Sequence, residues 1–247
     1  MKISPLFKWF GSKWQAAKRY PKPMFDTIVE PFCGGAGYSL NYSDRRVVLY
    51  DNDPHLKVLW KWLIDSATSE DILAIPINLP EGSSVNDPAL GLNLGQRLLL
   101  KHWQRTNNVG NCWTISPWGS KPGQWTRNTR ARVADEVHAV KHWEFGDTIG
   151  MVDLPCTWFI DPPYIYNYRY RDGKNFPYDQ LDSLVQTISA SSQVMVCEAS
   201  CPKTGKVPNY LPFLPNHSSV TSRRKVTQSH HSSEYLYYTT PKELKTS

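Results

Sequence analysis

DTIVEPFCGGAG, residues 26–37, joins a short apolar run to a glycine-rich turn. Asp26 to Glu30 reads as a short buried strand, and Tyr38 to Tyr42 reads as the opening of a helix behind the turn. Glycines let a ligand approach the backbone closely, and a helix N-terminus offers unpaired N–H groups. In open α/β sheets ligands bind beyond the carboxyl ends of the strands, where such a turn lies. The next apolar run, RVVLY (46–50), ends at Asp51, 14 residues after Gly37, and a carboxylate there can accept hydrogen bonds from a ribose diol. Glycines plus an acid therefore indicate a nucleoside ligand. The spacing Gly34, Gly35, Gly37 is not GxGxxG, and no GxxxxGK[ST] occurs, which argues against a pyrophosphate or triphosphate cradle. On turn chemistry alone, the same glycines also suit a tight strand-to-helix connection with no ligand.

Outward from this turn, DPHLKVLWKWLI (53–64) carries Leu56, Leu59, Trp60, Leu63 and Ile64 at helical spacing behind an Asp53 cap, with Pro54 in the first turn. Residues 76–95 and 107–128 are punctuated by Pro, Gly, Asn and Ser, with a helix expected over Leu94–Trp103 between them. We therefore read 66–135 as an insertion of loops and short elements, and 1–65 with 136–247 as the main domain. Sheet rhythm is expected again over Glu136–Phe145 and Thr157–Ile160, then a helix over Tyr178–Ser191 and a strand over Gln193–Cys197. Val220–Val226 and Glu234–Thr240 suggest a terminal hairpin. This order predicts a three-layer, Rossmann-like α/β sheet with an antiparallel hairpin at one edge.

Composition narrows the partners. The 247 residues are 40% hydrophobic, enough for an ordinary core, and the formal net charge is +6. From Pro88 to Ala134 there is no Asp or Glu, yet Arg97, Lys101, Arg105, Lys121, Arg127, Arg130 and Arg132 are present. A second acid-free run, Ala199–Ser233, carries Lys203, Lys206, Arg223, Arg224 and Lys225. Segregated cations of this kind favour a polyanionic partner such as nucleic acid. Trp103, Trp113, Trp118 and Trp125 interleave with the first run, where aromatics could read or wedge bases. GSKPGQWTRNTRAR (119–132) is the expected groove-reaching loop; a basic loop touching phosphate alone is the plainer alternative.

Five cysteines form no CxxC pair and the N-terminus has no apolar signal-like run, so reduced thiols and a cytoplasmic location are expected. No stretch approaches the ~18 apolar residues of a membrane span. No metal-ligand cluster is evident, since His230 and His231 stand apart from the cysteines.

FIDPPYIYNY, residues 159–168, ends an apolar strand with a carboxylate, two prolines and a tyrosine. Proline fixes φ and pushes the preceding residue towards extended backbone, so the strand stops abruptly on a stiff turn. The turn suits either an aromatic plug or a rigid platform holding an acceptor carboxylate, a carbonyl and an aromatic face for a flat ligand.

The order FKWFGSK (7–13), EPFCGGAG (30–37), Asp51 and DPPY (161–164) resembles the DNA adenine-N6 methyltransferases of the bacterial and phage adenine-methylase type. Those enzymes share a KWxGGK segment, a PFxGxG turn, a mid-chain recognition insertion and then DPPY. EFGD (144–147) is similar to their adenine-contacting segment, and SRRKVTQ…EYLYYT (222–239) to their closing hairpin, so the likeness spans nearly the whole chain. Ser12 departs from the second glycine of the first motif, and Ala36 from the third of the second, with Gly37 displaced by one.

The resemblance implies S-adenosylmethionine as cofactor, with Trp9, Phe10, Lys13, Phe32, Gly34, Gly35, Asp51, Asp147 and Asp161 around it. Lys13 would lie near the methionine carboxylate and Asp51 on the ribose. Asp161 and the Pro162 carbonyl would each accept one N–H of an adenine amine, while Tyr164 stacks on a base flipped out of double-stranded DNA. Lys121, Arg127, Arg130, Arg132, Arg223 and Arg224 are the expected DNA-binding residues, in a bacterial or phage-infected cell. Cytosine N4 or RNA adenine as acceptor stays open, as does a catalytically silent DNA-binding module. Restriction-modification, repair marking and phage counter-defence are equally compatible roles, and neither the recognition site nor the oligomeric state is legible.

Overall fold

The computed structural model describes residues 2–104, 113–115, 124–147, 152, 155–164, 176–199, 216–220 and 234–239. In chain order these form β1 (Thr27–Glu30), β2 (Arg46–Leu49), α1 (Pro54–Asp65), α2 (Ser69–Ala74), α3 (Leu94–Trp103), α4 (Arg127–Glu136), β3 (Glu144–Phe145), β4 (Thr157–Ile160), α5 (Tyr178–Ile188), β5 (Gln193–Ala199), β6 (Asn216–Val220) and β7 (Glu234–Thr239). The protein is of mixed α/β class, and the parallel pairs within it are bridged by helices as parallel pairing requires. It divides into two compact units, Met1–Gln15 with Cys33–Asp147, and Ala16–Phe32 with Thr148–Ser247. The 66–135 stretch thus falls inside the first unit, together with the segments before and after it.

In the first unit β2 and β3 pair in parallel, Val48 opposite Glu144 and Leu49 opposite Phe145. Asp53 caps α1 by accepting from His55 N (2.8 Å) and Leu56 N (3.4 Å), with Pro54 in the first turn as expected. The predicted face, Leu56, Leu59, Trp60, Leu63 and Ile64, is the buried one. The 66–135 stretch is more regular than its composition suggested. Thr68 and Asp71 form a reciprocal capping box at α2, and Asn93 and Gln96 form another at α3. Gln96 Nε2 also donates to Asp71 O at 2.8 Å, tying the two helix starts together.

Sheet rhythm over Glu136–Phe145 is a misreading of period. Val137, Val140 and Trp143 are buried at a spacing of three, which is the repeat of a 3-10 turn, and the chain forms one over Val137–Val140. Only Glu144 and Phe145 remain as strand. Tyr38–Tyr42 likewise yields a single 3-10 turn, Ser39–Tyr42, rather than a helix.

In the second unit the strand order is β1-β4-β5-β7-β6. β1, β4 and β5 run parallel, with Ile28 opposite Thr157 and Ile160 opposite Val196. β7 is antiparallel to β5, and β6 antiparallel to β7. β4 and β5 are buried at every position, the mark of strands covered on both faces. Helix α5 links them and buries Leu181, Val185 and Ile188. It stops at Ile188, three residues before the expected Ser191. The penultimate strand lies at Asn216–Val220, earlier than the expected Val220–Val226, and residues 221–226 are outside the described part.

Cys33, Cys156 and Cys197 are buried free thiols. No helix among the described residues is long and apolar enough to cross a membrane.

Candidate active site

Backbone geometry at the glycine turn is set by left-handed residues. Gly34 has φ +46°, and Ala36, the departure from the family's glycine, has φ +48°. A non-glycine residue there carries backbone strain, held in place by a fully buried side chain and an Ala36 N bond to Cys33 O at 2.6 Å. The turn is pinned from two sides. Cys33 N donates to Tyr50 O at 2.9 Å, and Trp60 Nε1 on α1 donates to Gly34 O at 2.8 Å.

Asp51 sits just past β2 and turns back onto this loop. Its Oδ2 accepts from Gly34 N at 2.9 Å and its Oδ1 from Asp53 N at 3.0 Å. Burial pushes its carboxyl above the ordinary value, against the opposing pull of these backbone N–H groups. The acid is therefore a pre-oriented acceptor fastened to the glycine turn itself.

The close approach that the glycines permit is used by the chain's own N-terminal segment. A Cβ on Gly34 would overlap the indole of Trp9, and one on Gly35 would lie 2.9 Å from Trp9 Cβ. At Gly37 it would meet the backbone nitrogens of Lys13 and Trp14 at 2.7 Å and Ser12 Oγ at 2.8 Å. FKWFGSK thus lies directly on the glycine turn, bringing two sequence motifs together. Trp9 is half-buried with its ring 5.6 Å from that of His102 on α3. Lys13 is buried, with Nζ 3.0 Å from Gly11 O, and Phe10 is half-exposed. Asp147 is different. It is exposed beyond β3 and paired with Lys57 of α1, whose charge holds its carboxyl below the usual range.

In the second unit the DPPY segment follows β4 without a break. The four strand residues are buried, whereas Asp161 regains partial exposure at the strand's carboxyl end. Tyr164, 8% exposed, donates its hydroxyl to Asp161 Oδ1 at 3.0 Å. Tyr178, the first residue of α5, donates its hydroxyl to Pro163 O. Phe32 stands edge-on to Phe176 (centroids 5.3 Å), which stands edge-on to Tyr178 (4.8 Å). Glu198, on β5, is fully buried and accepts from Ala199 N at 2.9 Å. Burial, and then the charge of Glu198, raise the Tyr178 phenol well above its usual value. Burial, Tyr235 and Glu198 push Tyr237 up to about 12.

Sequence reasoning passed over Tyr178 and Phe176, and gave Trp60 only a packing role. Their significance rests on contacts 15 or more residues apart in sequence, which no local pattern announces.

The basic insertion divides in two. Arg127 is exposed at the first turn of α4, where the expected groove-reaching loop becomes helix. Arg130 instead donates to Ile75 O at 2.9 Å. Arg132 pairs with Glu136, donates to Pro5 O at 2.9 Å and lies 5.7 Å over the Trp103 ring. Trp103 and Trp125 are buried core side chains 6.3 Å apart, not exposed base readers. Lys121, Trp118, Arg223 and Arg224 lie outside the described residues. No family model matches the chain, and no curated protein matches it.

Proposed function

We propose that this protein transfers the methyl group of S-adenosylmethionine to the N6 amine of adenine in DNA. The observation that supports this reading most is the 161–164 turn. An acceptor carboxylate stands partly exposed at the carboxyl end of a buried parallel strand, oriented by the tyrosine three residues on. Binding sites in α/β sheets are built at such ends.

The residues at the glycine turn fit a nucleoside cofactor. A carboxylate has about four lone-pair positions. Asp51 has one oxygen on Gly34 N and the other on Asp53 N, so acceptor capacity remains for a ribose diol. S-adenosylmethionine supplies a methyl group already activated as a sulfonium. Asp161 and the Pro162 carbonyl accept the amine protons, which draws the nitrogen towards tetrahedral geometry and frees its lone pair. Preoriented acceptors of this kind contribute roughly 3 kcal/mol each where measured in other enzymes. The prolines hold φ, so little reorganisation accompanies the reaction. Tyr164 stacks on a base extruded from the duplex, because the amine is out of reach inside it.

The test is methylation of defined DNA with labelled cofactor, followed by nucleoside mass spectrometry. Label in N6-methyladenine is expected. Label only in cytosine, only on RNA, or nowhere contradicts the proposal.

The arginines make a separable prediction. Arg127→Ala is expected to leave the melting temperature unchanged and to lower the slope of log K against log salt for DNA by about 0.9, one phosphate contact. Arg132→Ala is expected to lower thermal stability, because three structural contacts go with it. Filter binding across a salt series and thermal melts distinguish the two. An unchanged Arg127→Ala slope removes α4 from the DNA-facing surface.

A further inference from the structure

We propose that Tyr178 is a positioning residue that sets the geometry of the 161–164 turn through its hydrogen bond to the Pro163 carbonyl. The inference rests on the reading of that turn as the amine clamp. The two pyrrolidine rings fix φ at Pro162 and Pro163 but leave ψ free. The ψ of Pro163 decides where its carbonyl points, and with it the direction in which Tyr164 leaves the turn. Tyr164 in turn donates to Asp161 Oδ1. A hydroxyl anchored on Pro163 O therefore reaches Asp161 in two steps, Pro163 to Tyr164 to the carboxylate.

Tyr178 is itself firmly held. It opens α5, whose Leu181, Val185 and Ile188 are buried, and its N–H donates to Phe176 O at 2.9 Å. Its ring stands edge-on to Phe176, and Phe176 edge-on to Phe32, the residue that ends the β1 segment. Only the protonated phenol can donate to a carbonyl. Burial and the nearby Glu198 carboxylate both disfavour the phenolate, so the donor form persists through the working pH range. The sequence marks this residue only as an aromatic at a helix start. The bond to Pro163 gives it a task.

The experiment uses the full chain and Tyr178→Phe, which removes one oxygen and keeps the ring. Two Pro–Tyr pairs occur in the sequence, 163–164 and 177–178. Labelling proline carbonyls with ¹³C and tyrosine amides with ¹⁵N therefore gives two correlation peaks, and Tyr178→Phe leaves only that of Pro163. The Pro163 carbonyl resonance is expected to move upfield as it loses its donor. In the same variant kcat for methyl transfer is expected to fall about tenfold, with KM for DNA and for S-adenosylmethionine within about twofold. A Pro163 resonance that stays in place overturns the proposal, and so does a shifted resonance with unchanged kcat. A merely structural role would raise KM and lower kcat together, which also counts against it. If the wild-type protein methylates nothing, the functional reading fails, while the Pro163 resonance still decides whether Tyr178 sets the turn.

Discussion

Asp161→Ala is expected to reduce methyl transfer by at least about 10²–10³-fold, the loss seen when one preorganised stabilising group is removed from an enzyme. The affinity for S-adenosylmethionine should stay within about threefold, because the carboxylate is assigned chiefly to the acceptor amine. Stability should fall by only about 1 kcal/mol, the worth of one ordinary hydrogen bond, here that from Tyr164 at 3.0 Å. Asp51→Ala should give the converse. Its carboxylate binds Gly34 N and Asp53 N and is proposed to hold the ribose, so cofactor affinity by calorimetry should drop about tenfold or more. Its kcat at saturating cofactor should be largely retained. Measuring both variants with the same DNA, by labelled transfer and by calorimetry, separates amine chemistry from cofactor binding. Near wild-type turnover in Asp161→Ala would sink the clamp mechanism.

How far the sequence carried this reading depends on the range of the signal. α3 and β4 occupy the expected residues, Leu94–Trp103 and Thr157–Ile160, because capping and apolar runs are local. The buried face of α1 was legible for the same reason, five apolar residues behind an Asp-Pro start. The 136–145 stretch misled because Val137, Val140 and Trp143 carry a repeat of three, which a search for alternation folds into strand. The cations misled differently. Composition counts Arg127, Arg130 and Arg132 alike, but only tertiary contacts reveal that Arg130 and Arg132 bind backbone carbonyls of distant segments. Tryptophans in a basic stretch suggested base contacts, whereas the structure uses Trp103 to hold Leu6 O at 2.8 Å and to pack on Trp125. At the candidate site the acids and glycines were visible as motifs. Their partners were not, since Trp9 on Gly34 and Tyr178 on Pro163 are meetings between separate motifs.

That meeting of Trp9 with the glycine turn yields the second large prediction, Gly34→Ala. Two costs fall on the variant. Alanine at φ +46° takes on about 1–2 kcal/mol of left-handed strain. Its Cβ also overlaps the Trp9 indole, and overpacking of this kind costs about 1–3 kcal/mol. The stiffer unfolded chain returns about 0.4–1 kcal/mol, so a net loss of about 2–4 kcal/mol in urea unfolding is expected. The steric part alone depends on the indole. Trp9→Ala combined with Gly34→Ala should therefore be less destabilised than the two single variants add up to, with a coupling of about 1–3 kcal/mol. Gly37→Ala serves as the contrast, because its Cβ would meet the backbone nitrogens of Lys13 and Trp14 at 2.7 Å. Truncating Trp9 leaves that clash in place, so those two changes should add. Strict additivity at Gly34 would mean that Trp9 does not rest on the turn. If Gly34→Ala instead loses cofactor affinity with full stability, the glycine is there for the ligand alone. Loss of both, with coupling to Trp9, is the result expected of a turn on which the N-terminal segment closes and beside which Asp51 holds a ribose.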